Sequence, residues 1–541
     1  MFAQLLTPVG GSLGLSFLVA VLPVVTVLVL LGVLRRPAWQ AALAGLVVAL
    51  VIAIAVWQMP AGLALSSVAN GAVFAVWPVM WIVVNALLLY NVAVFSGRFE
   101  AFRKWILAHL PNDRRVVLVV IAFCFGALLE GISGFGTPVA ISSSLLILVG
   151  FPPIEALVFV LIFNTAPVAF GGLGVPVTVL GAVTGLPTTA LAAMIGRQLP
   201  VIALLLPFYV MTIYGGWRSV KALWPLLFVA GGSFAFAQFF TSNFIDYSLT
   251  DVLSSLTSLI TTLLFLQVWR PVPDANFAIK ESELEAERTA PHDMAPWQGW
   301  IPWVVVSATV IIWTTYKVAA IGQRAIAWPG LNKAISITLY HNKPYAAVWN
   351  FQPLGTGTAI LLSAVLTALL VGLSPAAFFK CIGKTIKQVW IAVLTVMLIV
   401  GLAYLMNYSG LAYTLGAGVA ATGHLFLLLS PFLGWVAVML SGSDTSGNAL
   451  FGNLQVIAAQ QLNLNPVLFA ATNSSGGVMG KMISPQNIAT GVTVTGMVGQ
   501  EGNVFARTFI HSIVLTLFLS GLVIVEQFLI PWIIPTVQSL H

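Results

Sequence analysis

Long apolar segments without a charged residue recur along this chain, for example at 13–34, 72–95 and 389–406. About 20 such residues in a helix are enough to cross the hydrocarbon core of a bilayer. Only 7% of the residues are charged and 59% are hydrophobic, far from the composition of soluble domains. The sequence therefore predicts an all-α polytopic membrane protein with about 11 to 14 transmembrane helices, embedded in a lipid bilayer.

The basic residues predict the orientation in the membrane. The net charge is +7, and Lys and Arg cluster in short loops between the apolar segments. Such loops lie in the cytoplasm by the positive-inside rule, which places the amino terminus outside. The opening MFAQLLTPVGGSLG has no basic region and no small-residue cleavage site, so we expect a retained first span. The loops used are those at Arg35 and Arg36, 98–115, 218–221, Arg270 and 380–387.

The chain divides into two membrane units joined by a polar segment. Nine charged or His residues fall between 271 and 299, which is typical of a solvated linker, and we expect it in the cytoplasm. The predicted parts are amino-terminal spans at 1–70, a first repeat at 71–270 with a hairpin near 130–150, the linker at 271–299, connecting spans and an external loop at 300–386, and a second repeat at 387–541 with a hairpin near 441–462.

Two glycine- and serine-rich stretches each bring an acid into this apolar background. LLEGISGFGTP contains Glu130, and SGSDTSGNALFGN contains Asp444. An acid inside a membrane is costly, and irregular backbone is tolerated there only beside a cavity or within protein. Because a low-dielectric site disfavours the charged form of an acid, each can hold a proton. We therefore expect proton coupling at Glu130 and Asp444, without a basis for choosing the obligatory carrier.

The two stretches predict an internal repeat. Aligning Gly131 with Gly442 also aligns Gly136 with Gly447, and Asn164 and Asn473 are each followed twelve residues later by a proline. Each unit is therefore predicted to contain a broken hairpin and a second break at its Asn. Since the topology of the two units is opposite, the repeats are predicted to be inverted, as in many secondary transporters whose site lies near the middle of the membrane.

Broken helices, hydroxyls and amides at these breaks predict a site for a small anion. Helix N-termini expose N–H groups and the positive end of the helix dipole, which suits a carboxylate. Lys481 is the only Lys after Lys387, and we expect it to pair with an acid or with an anionic substrate. The candidate substrate-binding residues are Ser133, Gly134, Gly136, Thr137, Asn164, Thr165, Ser443, Thr445, Ser446, Asn448, Asn473, Ser474, Ser475 and Lys481.

Simpler readings of the same residues stay open at this point. Isolated glycines also permit close helix packing, as in GxxxG contacts. Lys481 could extend its amine to the membrane surface, and Glu130 or Asp444 could be an interfacial or salt-bridged acid. These alternatives predict no shared cavity.

The sequence gives no sign of a cofactor, a metal or a nucleic-acid partner. Cys124 and Cys381 are too few and too far apart for a disulfide framework or a thiolate metal site. A P-loop, a dinucleotide fingerprint and an HExxH motif are all missing from the sequence. We therefore expect a protein that is neither an enzyme nor an ATP-driven pump, and whose energy comes from an ion gradient or from the substrate gradient.

Four strings together carry a resemblance: LLEGISGFGTPVAIS, NTAPVAFGGLGVPV, SGSDTSGNALFGNLQ and KMISPQNIATG. With them the chain resembles the bacterial L-lactate permease family over nearly its whole length. The resemblance implies proton symport of L-lactate, D-lactate and glycolate across the bacterial inner membrane. At the level of the ion-transporter superfamily it also implies an elevator-type scaffold and transport domain with paired re-entrant hairpins, and a possible homodimer.

Other functions remain compatible with the residues alone. A sodium-coupled transporter of dicarboxylates or other organic anions would differ in its dependence on sodium and in competition by succinate. A polytopic membrane enzyme using Asp444 or Ser446 would turn over a lipid substrate in detergent. A passive channel would not need two acids and a Lys at matched breaks. Symport of one proton with one monovalent anion is electroneutral, so the membrane voltage would not drive it.

Overall fold

The computed structural model describes residues 1–32, 34, 36–132, 136–279 and 294–537 and is almost entirely helical there. In these residues nine helices are long and apolar enough to cross a membrane, or ten with one bent pair. The segment Thr188–Ile245 has 58 residues and turns at Gly216, so it is long enough to cross twice. The prediction of an all-α polytopic membrane protein is confirmed.

The first half is built from helices of very different lengths, from 4 residues in α7 to 53 in α12. A π-helical segment, Leu118–Phe125, continues α7 into α8 and makes one span, Arg114–Ile132, that is buried from Arg115 onwards. A helix that is apolar on every side belongs in the centre of a bundle. The helices are α1 (Leu13–Ala20), α2 (Leu22–Gly32), α3 (Ala38–Ala55), α4 (Ala61–Phe74), α5 (Trp81–Phe95), α6 (Arg98–Ala108), α7 (Arg114–Val117), α8 (Gly126–Ile132), α9 (Thr137–Leu148), α10 (Pro153–Phe163), α11 (Gly171–Thr184), α12 (Thr188–Phe240) and α13 (Thr250–Val268).

The second half continues the bundle after the linker. Residues 280–293 of that linker lie outside the described residues, and its described ends hold only short 3₁₀ turns, Ala275–Phe277 and Pro296–Trp300. The helices of this half are α14 (Ile301–Thr315), α15 (Thr356–Leu370), α16 (Pro375–Ser409), α17 (Leu411–Ala420), α18 (Phe426–Ser441), α19 (Asp444–Gln461), α20 (Pro466–Lys481), α21 (Pro485–Val494) and α22 (Glu501–Phe528).

The predicted external loop contains two small sheets that the apolar pattern did not predict. Strands β1 (Phe2–Ala3), β3 (Ile335–Ile337) and β4 (Lys343–Pro344) form one sheet, in which β1 and β3 are parallel. Strands β2 (Arg324–Ala327) and β5 (Val348–Phe351) form an antiparallel pair. The first sheet fastens the start of the chain to the loop.

Breaks between helices occur at both predicted hairpins. In the second unit, α18 ends at Ser441, Gly442 adopts a left-handed φ of 70°, and Ser443 caps α19. In the first unit, α9 begins after Gly136, whose φ is 81°. An L-residue at either glycine would be strained, because its Cβ meets the neighbouring carbonyl oxygen in this conformation.

The second break of each unit is also present, but one of them is not where the sequence placed it. In the first unit, α10 and the following segment Val168–Thr184 are bent by 65° beyond Asn164. In the second unit, α20 runs unbroken through Asn473 and ends at Lys481, so the predicted break at Asn473 is wrong. The Asn473 side chain donates to the carbonyl oxygen of Gly447 and to Asn448 in α19, and therefore does not compete for the backbone of its own helix.

Two further glycines of SGSDTSGNALFGN do not break the backbone. Gly447 and Gly452 lie inside α19, where an added Cβ would come within 2.6 Å of Val438 and of Leu180, respectively. They permit close packing, which is the simpler reading of an isolated glycine.

Candidate functional site

A cavity of about 930 Å³ reaches from the buried middle of the bundle to the exposed Arg36 and Pro37. Arg36 belongs to a basic loop that the sequence places in the cytoplasm. The break between α18 and α19, the break between α20 and α21 and the start of α11 all contribute to its wall. Its polar lining side chains are Arg36, Glu130, Gln388, Thr395, Ser441, Ser443, Asp444, Thr445, Ser446, Lys481, Gln486, Asn487 and Glu501.

A buried ion pair lies at the inner end of the cavity. Lys481 Nζ is 2.6 Å from Glu130 Oε1, and the two residues are only 7% and 3% exposed. Asn164 Nδ2 donates to the other carboxylate oxygen at 3.1 Å. The pair therefore joins the end of α8 in the first unit to the end of α20 in the second. Because desolvating two charges offsets much of their attraction, such a pair is weak support for stability and points to a functional role.

Gly171 leaves room for this pair because it has no side chain. A Cβ on Gly171 would lie 2.7 Å from Glu130 Oε1. The backbone of α11 therefore approaches the carboxylate more closely than any other residue type would permit. Gly171 lines the cavity together with Glu130.

Asp444 is the first residue of α19 and also lines the cavity. Its Oδ2 accepts from Ser474 Oγ at 2.5 Å and from Asn448 Nδ2 at 3.2 Å, whereas Oδ1 has no hydrogen-bond partner. The N-terminus of α19 favours negative charge at this position. A Cβ on Gly477 would collide with Oδ1, so glycine is needed in α20 at this contact.

Several predicted substrate-binding residues lie behind the cavity wall. Asn448 Nδ2 donates to the carbonyl oxygen of Pro176 at 3.2 Å, and Asn473 Nδ2 donates to Asn448 Oδ1 at 3.0 Å. Ser475 Oγ donates to Gln198 Oε1 at 2.8 Å. Together with Ser474, these side chains bond to protein groups and hold Asp444 and the neighbouring helices in place.

The remaining predicted site residues fall into three groups. Ser443, Thr445 and Ser446 line the cavity at the start of α19. Gly136, Asn164 and Thr165 are not among the described lining residues, and Thr165 Oγ1 donates to the carbonyl oxygen of Ile162; the side chain of Thr137 lies outside the described part of the chain. Ser133 and Gly134 lie outside the described residues.

The sequence reasoning missed Gln486 and Asn487, which line the cavity at the start of α21. Asn487 Nδ2 donates to Ser484 Oγ at 2.8 Å and to the carbonyl oxygen of Lys481 at 3.3 Å, which fixes the break between α20 and α21. The string Ser-Pro-Gln-Asn has the capping Ser and first-turn Pro that open a helix, and it could have been recognised as a helix start.

Two buried acids were also missed. Glu526 is 0% exposed and accepts from Gln198 Nε2 at 2.8 Å. Asp251, in the first turn of α13, is 0% exposed and has no hydrogen-bond partner on either carboxylate oxygen. Glu526 lies within a long apolar segment, which was a recognisable signal. Asp251 lies among Ser and Thr residues, so it does not stand out as an acid in an apolar segment.

The arrangement suits one small organic anion with a hydrogen-bonding group. Lys481 supplies a cation, α19 and α21 direct their N-termini to the same cavity, and hydroxyl and amide side chains surround them. Across the described ranges, no group of three or more His, Cys, Asp or Glu side chains is placed to hold a metal ion.

Comparison with known proteins identifies the family of this chain. The family profile described as L-lactate permease matches residues 16–530. The L-lactate permease of Salmonella typhimurium is 40% identical, with 97% of this chain and 98% of the relative covered. The glycolate permease GlcA of Escherichia coli is 40% identical, with 95% and 96% covered.

Among solved structures, the Alcanivorax borkumensis YdaH transporter reaches a TM-score of 0.46 at 16% identity, over 87% of this chain and 89% of that one. This likeness is too weak to carry an argument. The match to the family profile spans nearly the whole chain, and the relatives are similar along their full length. The chain therefore belongs to the L-lactate permease family and is a multi-pass membrane transporter, not an enzyme.

Proposed function

We propose that this protein imports L-lactate, and also D-lactate and glycolate, by proton symport across the bacterial inner membrane. The observation that carries the proposal is the buried Lys481–Glu130 pair at the end of a cavity. A cation held there by one carboxylate can exchange that partner for the carboxylate of a substrate. Family membership and the names of both relatives support the same substrate class.

The cavity wall provides separate places for the two groups of a 2-hydroxymonocarboxylate. The carboxylate binds at Lys481 and at the N-terminus of α21, where charge and backbone N–H groups favour an anion. The hydroxyl binds at Ser443, Thr445 or Ser446, at the start of α19. Lys481 is buried, whereas Arg36, the other cation among the described lining residues, is exposed, so the buried part of the cavity offers one cation to one carboxylate.

The acids at the cavity form the proton pathway. Glu130 and Asp444 both line the cavity and both are almost fully buried, at 3% exposed each. A protonated carboxyl compensates for the charge of the substrate anion, so that one proton and one lactate cross together without net charge. The two acids differ in their partners, Lys481 for Glu130 and Ser474 for Asp444, which gives them separate parts in the pathway.

We propose further that the two units form an inverted repeat and that transport uses an elevator motion. Two contacts support the repeat, because each joins the hairpin of one unit to the second break of the other. Glu130 forms an ion pair with Lys481, and Asn448 Nδ2 donates to the carbonyl oxygen of Pro176. The proposed boundaries remain 71–270 and 387–541, and a homodimer remains part of the proposal.

The test is uptake of labelled L-lactate into proteoliposomes with unlabelled competitors. D-lactate and glycolate are expected to compete, and succinate is not. Uptake is expected to follow an inward proton gradient in the absence of sodium. Uptake that requires sodium, or that succinate blocks as strongly as L-lactate does, would favour the sodium-coupled organic-anion transporter instead.

A further inference from the structure

Asp251 is a buried acid that the proposed transport cycle does not yet use. It is 0% exposed, and neither carboxylate oxygen has a hydrogen-bond donor. The adjacent hydroxyls do not serve it: Ser255 Oγ donates to the backbone carbonyl oxygen of Asp251 at 2.6 Å, and Thr250 Oγ1 has no partner. A buried charge without donors is strongly unfavourable, whereas a neutral carboxyl is tolerated at far lower cost.

Asp251 packs against Gly131, the residue that follows Glu130 of the ion pair. The helices α13 and α8 pack so closely that a Cβ on Gly131 would be 2.7 Å from the Cβ of Asp251. Gly131 follows Glu130 in the chain, which brings the charges of Glu130 and Lys481 near the Asp251 carboxyl. Glu130 lines the cavity and Asp251 does not, so Asp251 lies behind the cavity wall.

The other titratable groups near the start of α13 have partners of their own. Asp246 accepts from Ser248 and from Thr314, and the Tyr247 hydroxyl pairs with that of Thr178. Cys124, on the segment leading into α8, contacts Ser258, about two helical turns beyond Asp251. The electrostatic neighbours of Asp251 are therefore one acid and one base.

We propose that Asp251 is a proton-binding residue of coupled transport, sharing one proton with Glu130 beside Lys481. When the substrate anion is bound beside these two carboxyls and one cation, the site holds one proton, because three negative charges against one positive charge are disfavoured there. The inference rests on the proposed function. It deepens that function by naming where the proton is held.

The charges of the site balance under this assignment. With substrate bound, Lys481 is positive, Glu130 and the substrate are negative, and Asp251 is neutral. After substrate and proton leave, Lys481 is positive and both acids are negative. The net charge is the same in both cases, so one proton accompanies one anion, and the proton lost from Asp251 leaves through Glu130 to the cavity.

The experiment uses the full chain in proteoliposomes and the variant Asp251→Asn, which keeps the shape of the neutral acid but cannot release a proton. Exchange of labelled for unlabelled L-lactate is expected at a rate close to the parent's and independent of pH. Accumulation driven by a gradient of one pH unit is expected to fall from about tenfold to none, since each unit is a factor of ten at one proton per substrate. Parent-like accumulation would overturn the proposal, and so would loss of exchange in correctly folded protein.

The control is Thr250→Val, which removes a buried, unpartnered hydroxyl from the adjacent position without removing a titratable group. It is expected to keep both exchange and accumulation. A second measurement follows proton uptake on L-lactate binding in weakly buffered detergent with a pH indicator. Fewer protons are expected in Asp251→Asn than in the parent, and an equal number would overturn the proposal. Absence of pH-driven accumulation in the parent itself would refute the proposed function rather than the role of Asp251.

Discussion

At the scale of single residues, the site depends on charges that are buried together. Lys481 and Glu130 are nearly inaccessible and 2.6 Å apart, and each is the partner that makes the burial of the other tolerable. Removing one partner of such a pair leaves an unpaired buried charge, whereas replacing both is often neutral for stability. Stability and transport should therefore respond differently to the same substitutions.

Lys481→Gln is expected to lower the free energy of unfolding by about 3–5 kcal/mol, because Glu130 then lacks its cation. The double variant Glu130→Gln, Lys481→Gln is expected to recover most of that loss in detergent. Both are expected to lack L-lactate uptake. Lys387→Gln, at an exposed position of α16, is the matched control and should behave as the parent. A double variant that transports L-lactate would contradict the role of the pair.

Asp444→Asn is expected to keep L-lactate exchange and to lose accumulation driven by a pH gradient, because the amide cannot take up and release a proton. Exchange and accumulation measured on the same vesicles give the comparison. Ser474→Ala is the comparison variant, because it removes the 2.5 Å hydrogen bond to Asp444 but leaves the carboxyl group in place. Accumulation retained in Asp444→Asn would remove this acid from the proton pathway.

The acids and the Lys of the site could be predicted singly, because each stands out from an apolar background. Glu130, Asp444 and Lys481 all line one cavity. Their partners could not be predicted, since residues 351 positions apart in the chain meet only through the packing of helices. Asp251 could not be predicted from the sequence at all, because what distinguishes it is the absence of hydrogen-bond donors around its buried carboxyl.

At the scale of helices, the site is formed where helices end. Ser443 caps α19 and Ser484 caps α21, and Gly442 turns the chain between α18 and α19. The glycine-rich pattern predicted breaks but not their positions. Gly447 and Asn473 lie within continuous helices. Gly447 permits close packing against Val438, and the Asn473 side chain donates to a carbonyl oxygen of another helix.

Gly442→Ala is expected to lower the melting temperature in detergent by a few degrees and to reduce uptake. The left-handed conformation costs an L-residue about 1–2 kcal/mol. The new Cβ would also lie 2.7 Å from Gln486 Oε1 in the cavity wall. Gly521→Ala, at an exposed site in α22 with no atom within 4 Å of the added Cβ, is the control and should be neutral or slightly stabilising. Equal melting temperatures for Gly442→Ala and the parent would contradict this account of the hairpin.

At the scale of the whole molecule, the cavity connects the buried pair with the exposed Arg36, in a basic loop that the sequence predicts to be cytoplasmic. Apolar composition was sufficient to predict the polytopic class, and the basic loops predict which side is cytoplasmic. The two small sheets of the external loop could not be predicted, because their strands are only two to four residues long.

Thiol labelling tests this orientation, because Cys124 and Cys381 are both buried. Thr395→Cys, in the cavity wall, is expected to react with a membrane-impermeant reagent supplied from the cytoplasmic side. Ala346→Cys, exposed in the loop between β4 and β5, is expected to react from the outside. The opposite pattern would reverse the assigned topology.

The most direct test of the central claim is the steady-state accumulation of L-lactate in proteoliposomes as the pH gradient and the voltage are varied independently. One proton per lactate predicts about tenfold accumulation per unit of inward pH gradient. It also predicts no response to voltage or to sodium, because the loaded site carries no extra charge. Accumulation that follows a sodium gradient, or that changes with voltage at constant pH gradient, would contradict the account.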